Sequence, residues 1–326
     1  MKRLLLLLMG LFAAVGLTAC AAAPQAPAME DPLDDLIVVG FSQVGAESDW
    51  RGANTNSMLE ALSEANGYKL IFDDAQQKQE RQITAIRNFI HQAVDYIVLA
   101  PTTEKGWDTV LKEAQAVGIP VIIVDRMIEV SDQSLFTCWV GSDFRKEGDT
   151  AVRWMEQRFG DAPLSIVHLQ GNIGSSAQIG RTEGLDAGLA RNPQWSLVAR
   201  ASGEFTQAKG QELTEEFLQQ GLSFNLVYSE NDNMAYGAID ALKAAGLLLG
   251  EDVTVISFDA NRAALEKTLA GEIRYNVECN PLHGPRVAAI IEQLERGEVP
   301  PKFTYVEETA FDHETLTRAV IDAREY

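Results

Sequence analysis

The chain is short of positive charge. Its 326 residues include 27 lysines and arginines against 47 aspartates and glutamates, which gives a formal net charge of −20. A surface of that sign repels the phosphates of nucleic acids and of anionic lipids. We therefore expect no nucleic acid partner. A DNA-binding regulator, which needs a basic surface and a recognition helix, is disfavoured.

Catalytic and cofactor motifs are also missing. There is no G-x-x-x-x-G-K-S/T phosphate loop and no G-x-S-x-G elbow, and the glycines of "GNIGSSAQIG" lack the lysine. The four histidines, spread over positions 91 to 313, do not have the spacing of metal ligands. We expect no catalytic residue, no metal and no cofactor, although the many carboxylates do not by themselves exclude a hydrolytic pair.

The first twenty residues, "MKRLLLLLMGLFAAVGLTAC", read as an export signal. Two cations precede an apolar run from Leu4 to Leu17, and small residues lead to Cys20. The run is too short to cross a bilayer as a helix, and this order of parts is typical of a signal peptide. Because "LTAC" matches the bacterial lipobox, we predict a lipoprotein signal peptide at residues 1–20 and lipidation of Cys20. A plain cleaved signal is the alternative.

Residues 21–35, "AAAPQAPAMEDPLDD", are rich in alanine and proline and are predicted to be a flexible tether. The mature protein would then lie outside the cytoplasm, in the periplasm or held to the cell membrane by lipid alone. That compartment permits a disulfide between the two other cysteines, Cys138 and Cys279. Both fall in apolar strand-like segments, so two buried free thiols are the alternative.

Apolar strand-like runs alternate with helical patterns along the rest of the chain. Such continuous apolar strands indicate parallel sheets that helices cover on both faces. The pattern restarts at Leu164, so we predict an α/β fold of two Rossmann-like lobes, with extra strands in the tail that cross back between them. The runs are "LIVVGFS", "YKLIFDD", "DYIVLAP", "IPVIIVDR", "LSIVHLQG", "SLVARASG", "NLVYSEND", "VTVISFDA", "YNVECNP" and "PPKFTYVEETAFD".

Polar and aromatic residues follow the predicted strands, where open parallel sheets bind their ligands. Carboxylates there would accept hydrogen bonds from sugar hydroxyls, arginine and asparagine would donate to them, and an aromatic ring would cover a sugar's apolar face. Each residue also has a structural alternative: an ion pair, a solvated cation, a helix cap or core packing. The candidates are Glu47, Trp50, Arg51, Asp125, Arg126, Arg181, Phe205, Asn231, Asp259 and Glu278.

Several long stretches resemble one family, the periplasmic pentose- and hexose-binding proteins of bacterial ABC importers, of the ribose-binding-protein type. The resemblance covers essentially everything after the tether. The stretches that carry it are "VGFSQVGAESDWR", "QQKQERQITAIRNFIHQAVDYIVLAP", "GWDTVLKEA", "IPVIIVDRMIEVSDQSL", "LQGNIGSSAQIGR" and "NDNMAYGAIDALKAAG".

The resemblance implies a periplasmic-binding-protein type I fold with a three-crossing hinge near Ser142, Glu278 and Tyr305. Its N-terminal lobe would comprise residues 36–141 and 279–305, and its C-terminal lobe residues 142–278 and 306–326. The family's sugar contacts fall on Glu47, Arg51, Asp125, Arg126, Arg181, Asn231, Asp259 and Glu278, with Phe205 as a second-lobe aromatic.

Departures from the ribose binders point to a particular branch. Those proteins carry asparagine where this chain has Ala100, and glutamine where it has Glu278. The resemblance therefore favours a furanose-form hexose such as galactofuranose, captured by a monomer and delivered to the permease and ATPase subunits of an importer. A sugar-sensing receptor for chemotaxis or a two-component system is the first alternative, and a secreted carbohydrate-active enzyme the second.

Overall fold

The computed structural model describes residues 36–326. The predicted signal peptide, Cys20 and the tether lie outside the described residues. Within residues 36–326, none of the helices has the length and apolar character of a bilayer-crossing segment.

The described chain alternates strands and helices. The strands are β1 (Ile37–Gln43), β2 (Tyr68–Asp74), β3 (Tyr96–Leu99), β4 (Val121–Val124), β5 (Cys138–Gly141), β6 (Leu164–Gln170), β7 (Trp195–Ser202), β8 (Leu226–Ser229), β9 (Thr254–Asp259), β10 (Tyr275–Glu278), β11 (Phe303–Tyr305) and β12 (Ala310–Asp312). The helices are α1 (Asp49–Ala61), α2 (Gln79–His91), α3 (Asp108–Ala116), α4 (Phe144–Phe159), α5 (Ser176–Arg191), α6 (Gln207–Gln219), α7 (Asp232–Ala244), α8 (Arg262–Leu269), α9 (Gly284–Glu295) and α10 (Arg318–Asp322).

The first lobe is built on a parallel sheet in the order β11-β5-β4-β3-β1-β2. Both of its faces are buried, because successive strand residues point to opposite sides and helices cover each side. Val98 packs in the core beneath α1 and α9, whereas its neighbour Ile97 packs in the core beneath α2 and α3. This explains why "YIVL" and "VIIV" are apolar at every position.

The second lobe repeats the plan with the order β12-β10-β9-β8-β6-β7, in which only the β12–β10 pairing is antiparallel. Ile166 of β6 packs with α4 and α5, and Val167 packs on the other face with α6 and α7. The predicted class, two α/β lobes with parallel-dominated sheets, is confirmed.

The chain passes between the two sheets three times. Residues 142–143 lead from β5 to α4, which packs against α5 in the second lobe. Residues 279–283 lead from β10 back to α9, which packs against α1 in the first lobe. Residues 306–309 join β11 of one sheet to β12 of the other. These three connections form the hinge between the lobes.

The two cysteines correct one expectation. Cys138 begins β5 and packs in the first-lobe core, while Cys279 follows β10 and packs in an apolar cluster dominated by the second lobe. Both are free and buried. The possible disulfide is therefore not formed, and the alternative of two buried thiols holds.

Glycines let α4 and α5 approach closely enough for their backbones to touch. A Cβ atom added at Gly184 would lie 2.6 Å from the Cα of Gly148, and one added at Gly148 would lie 3.0 Å from the carbonyl oxygen of Arg181. We call this close contact the glycine seam, and it fixes the position of α5 relative to α4 in the second lobe. Arg181 is the residue that this helix carries toward the first lobe.

We predict that Gly184→Ala destabilises the protein by about 1–3 kcal/mol, because the new methyl group forces two backbones apart. Urea unfolding followed by circular dichroism measures the change. Gly52→Ala in α1 is the matched control: a Cβ atom there meets no atom within 4 Å, so its stability should be unchanged or slightly higher. Equal stability for the Gly184 variant and the wild type would contradict the close-packed seam.

Candidate functional site

A cavity lies between the lobes, at the carboxyl ends of the strands in both sheets. The space inside it that a water-sized sphere can occupy is about 30 Å³, which is room for only a few water molecules in this closed form. A larger ligand must therefore widen it. It is lined by Glu47, Ser48, Trp50, Arg51, Asp125 and Arg126 of the first lobe, by Phe144, Ala177, Arg181, Phe205, Asn231 and Asp259 of the second, and by Cys279 of the hinge.

Arg51 organises the first-lobe wall from the first turn of α1. Its Nε donates to Glu47 Oε1 at 3.1 Å, and its Nη1 lies 2.9 Å from Asp125 Oδ2. Burial by itself would lower the pKa of Arg51, but the charges of Asp125 and Glu47 outweigh it and raise that pKa. The guanidinium thus stays charged inside the protein and holds two carboxylates at fixed positions.

Arg126 joins the same wall to the opposite lobe. Its Nη1 donates to the carbonyl oxygen of Thr102 at 3.1 Å, and its Nη2 lies 3.7 Å from Glu47 Oε1. The guanidinium carbon sits 5.3 Å from the ring centroid of Phe205, a cation–π contact between the lobes. Burial, and next the charge of Arg51, lower the pKa of Arg126 to about 10, so it remains protonated at neutral pH.

Arg181 is the cation of the second-lobe wall. Its Nε donates to Glu147 Oε2 at 2.7 Å, its Nη1 donates to the carbonyl of Glu230, and its Nη2 lies 3.6 Å from Asp259 Oδ1. Burial raises the pKa of Asp259, and the charge of Arg181 opposes that rise. The pKa of Asp259 still stays well above its ordinary value, because the effect of burial outweighs the charge of Arg181.

Asn231 combines two roles that the sequence left as alternatives. Its Oδ1 accepts from the backbone N–H of Met234 at 2.9 Å and caps α7, and its Nδ2 donates to the carbonyl of Phe205 at 3.0 Å. An amide nitrogen carries two hydrogens, so one remains for the cavity that Asn231 lines.

Three cavity residues adopt backbone conformations that L residues rarely use. Asp125, Phe205 and Asp259 have φ values of 62°, 61° and 103°. Each such residue costs about 1–3 kcal/mol and persists only where its surroundings enforce it. Gly171 is part of that enforcement, because any side chain there would collide with the ring of Phe205. All three side chains line the cavity, so the unusual conformations occur at the candidate site.

Trp50 lines the cavity and also packs in an apolar cluster. Its Nε1 donates to the carbonyl of Cys279 at 2.7 Å, and the guanidinium carbon of Arg51 lies 4.7 Å from its ring centroid. The ring belongs to the apolar cluster that contains Phe144 and Phe205. Its N–H is thus occupied, and only the ring face is available to a ligand.

Glu278 is the one predicted site residue that does not line the cavity. Its Oε1 accepts from Arg324 Nη1 at 2.6 Å and from the hydroxyl of Tyr326 at 2.9 Å, and its Oε2 accepts from the N–H of Thr309. Successive side chains of a strand point to opposite faces, so the next residue, Cys279, faces the cavity instead. Glu278 belongs to the hinge and the C-terminal segment.

Four residues that line the cavity were not predicted, namely Ser48, Phe144, Ala177 and Cys279, and neither was Glu147 behind them. Ser48 caps α1 through its hydroxyl, Phe144 begins α4, and Glu147 lies one turn further along and holds Arg181. Cys279 was weighed only as a disulfide partner. Phe144 and Glu147 could have been predicted from the sequence. Both follow the strand that ends at Gly141, and the other candidates were chosen because they follow strands.

The lobes touch at the rim of the cavity, so the cleft is closed. The backbone N–H of Asp49 donates to Asn233 Oδ1 at 3.0 Å, and that of Met127 donates to Ser176 Oγ at 2.9 Å. Asn172 Nδ2 of the second lobe donates to Gln77 Oε1 of the first at 2.8 Å. Each bond joins one lobe to the other and would be lost on opening.

Comparison with known proteins matches residues 39–315 to the family described as a periplasmic binding protein domain. The chain belongs to this family. The resemblance drawn from the sequence is confirmed. Membership implies an extracytoplasmic location, while attachment by lipid at Cys20 stays a prediction.

Three of the similar proteins bind a furanose sugar or were solved with one bound. The galactofuranose-binding protein of Escherichia coli K12 is 38% identical over 90% of this chain and 92% of its own length. A crystallised Mycobacterium smegmatis protein in complex with β-D-fucofuranose is 38% identical, covers 88% of this chain and 93% of its own, and superposes with a TM-score of 0.83. The binding component of the arabinose ABC transporter of Shewanella sp. ANA-3, bound to L-arabinofuranose, is 40% identical with coverages of 88% and 95% and a TM-score of 0.83.

We predict that Trp50→Phe lowers the free energy of unfolding by about 1–3 kcal/mol, because the carbonyl of Cys279 stays buried and loses its donor. Urea titration measures this. Trp195→Phe is the control: the Nε1 of Trp195 is buried and has no hydrogen-bond partner among the described residues, so its loss should cost less. A Trp50→Phe variant as stable as the wild type would show that this hydrogen bond does not stabilise the protein.

Proposed function

We propose that the protein captures a monosaccharide in its furanose form, such as galactofuranose, between its two lobes and delivers it to the permease of an ABC importer. The observation that carries this proposal is the closed cavity walled by arginine–carboxylate pairs from both lobes. Relatives that bind galactofuranose, fucofuranose and arabinofuranose support the ring form.

The polar groups of the cavity match the hydroxyls of a sugar. Glu47 Oε2 is buried and accepts no hydrogen bond from the described residues, so it can accept from a hydroxyl. Asp125 and Asp259 offer further acceptors, while Arg126 and Arg181 offer donors, and such charge-assisted bonds are stronger than neutral ones. Because the ion pairs fix these groups in advance, binding costs little side-chain entropy.

The aromatic groups match the rest of the sugar. The rings of Trp50, Phe144 and Phe205 line the same cavity and can cover the apolar C–H face of a furanose. Sugar contacts on both lobes would stabilise the closed form relative to the open one by their difference in binding free energy. The closed form is then the shape that a permease recognises.

Delivery of the sugar to a permease requires that the protein stays close to the membrane. Lipidation at Cys20 and a tether over residues 21–35 would keep a monomeric binder near the permease and ATPase subunits. Co-purification of those subunits from membranes supports transport, whereas co-purification of a chemotaxis or kinase receptor supports the sensing alternative. Conversion of the sugar to a product on incubation would indicate the enzyme alternative.

A panel of sugars tests the ligand class. We expect D-galactose, D-fucose and L-arabinose, which all contain furanose forms at equilibrium, to raise the melting temperature in a thermal-shift assay, because a ligand that binds only the folded state stabilises it. D-Ribose also contains furanose forms but should raise it less, because this chain has Ala100 where the ribose binders carry asparagine. No shift with any pentose or hexose would overturn the proposed function.

Asp259→Asn tests the site. We expect D-galactose affinity to fall at least about 30-fold, equivalent to about 2 kcal/mol, because a charge-assisted hydrogen bond is lost. Asparagine tolerates positive φ, so the backbone at this position is retained. Calorimetry measures the affinity, with Asp240→Asn on the exposed face of α7 as control. Unchanged affinity in the Asp259 variant would contradict the assignment.

A further inference from the structure

One side chain from each of the three hinge connections meets at a single point behind the cavity. Ser142 Oγ donates to Glu308 Oε1 at 2.6 Å and lies 3.4 Å from Cys279 Sγ. Glu147 of α4 completes the group, and one carboxylate oxygen each of Glu147 and Glu308 lies within 4.8 Å of the other and of Cys279 Sγ. We call these four residues the hinge cluster.

The hinge cluster has more negative charge than its neighbours neutralise. Glu147 Oε2 accepts from Arg181, which Asp259 also shares, and Glu147 Oε1 is buried with no hydrogen-bond partner among residues 36–326. Glu308 Oε1 accepts from Ser142 and from the N–H of Asn280, both uncharged donors. Two ionised carboxylates this close, one buried and one half-buried, repel each other, and the thiol of Cys279 is only a weak donor to Glu147. A proton shared within the cluster removes the repulsion.

Other charged groups around the hinge cluster do not remove the imbalance. Glu278 is paired with Arg324, and Arg286 acts on both Glu278 and Glu308 from α9 at longer range. The remaining charged or titratable groups that face the cluster, or line a second cavity behind it, are Asp125, Asp143, Lys146, Tyr228, Tyr275 and Tyr326.

We propose that Glu147 and Glu308 share a proton in the closed form and release it when the lobes open, so that sugar capture is coupled to proton uptake. This inference rests on the proposed function. The proton comes from water or buffer and is bound by a carboxylate oxygen, and no other bond changes.

The electrostatic environment of the closed form agrees with this coupling. Burial raises the pKa of Glu147 to about 7, against the opposing charge of Arg181. Burial, and next the charge of Glu147, raise the pKa of Glu308 to about 8. Both values lie in the range where a proton is gained or lost near neutral pH.

Opening of the lobes lowers these pKa values. Cys279 lines the sugar cavity, so water that enters an open cleft reaches the cluster from that side. Rotation of the lobes about the three hinge connections would also separate Glu308, on the third connection, from Glu147, on α4. The closed form therefore has the higher pKa values. Its proton-linked stability is full at low pH and is lost as the pH rises through about 7 to 8.

Calorimetry of the purified protein with D-galactose at pH 6 and pH 8, in EDTA, tests the coupling. We expect affinity about tenfold weaker at pH 8, with net proton uptake revealed by a binding heat that depends on the ionisation enthalpy of the buffer. His283, whose ring packs edge-on against Trp50, has its pKa lowered to about 4 by burial and stays neutral throughout this range.

Glu308→Gln mimics the protonated form and keeps an oxygen for Ser142 and Asn280. We expect it to bind D-galactose at pH 8 as tightly as the wild type does at pH 6, with little pH dependence. Glu307→Gln, which neutralises the adjacent exposed carboxylate, should keep the wild-type pH dependence.

Three outcomes would overturn the coupling. They are wild-type affinity that changes less than twofold between pH 6 and pH 8, a Glu308→Gln variant with full pH dependence, and a pH dependence that appears only without EDTA. Each requires measurable sugar binding, so it contradicts the coupling alone. A wild-type protein that binds no sugar at either pH would instead contradict the proposed function.

Discussion

Burial of three arginines among carboxylates, at the meeting point of two lobes, is the constraint on which the rest of the structure depends. Arg51, Arg126 and Arg181 are each only 2% exposed. A buried charge is costly unless it is paired and hydrogen-bonded, and removal of one partner leaves the other charge buried and unpaired. The strand ends, the helix that begins at Asp49 and the glycine seam of α5 all serve to place these groups within a few ångströms of their partners.

The same constraint explains the connection between site and hinge. Arg181, which lines the second-lobe wall, is held by Glu147 of the hinge cluster. Trp50 of the first lobe donates a hydrogen bond to the carbonyl of Cys279, so the first lobe contacts the hinge at the same point. The cavity and the hinge are thus linked through Glu147 and Cys279, and we expect a change of charge at the hinge to alter the position of Arg181.

The fold and most of the cavity could be predicted from the sequence, because both follow from local patterns. Apolar strands that alternate with helices specify covered parallel sheets, and strand ends mark the ligand edge. Glu278 shows where such reasoning stops: it ends a strand, but the pleat turns its carboxylate toward Arg324 and leaves Cys279 facing the cavity. The hinge cluster was not predictable, since Ser142, Cys279 and Glu308 meet only through three separate crossings.

A crystal structure of the protein grown with D-galactose tests the central claim most directly. The account predicts a furanose ring between the lobes, with its hydroxyls within hydrogen-bond distance of Asp125 and Arg126 on one side and of Arg181 and Asp259 on the other. A sugar that contacts only one lobe, or that binds away from these arginine–carboxylate pairs, would contradict it.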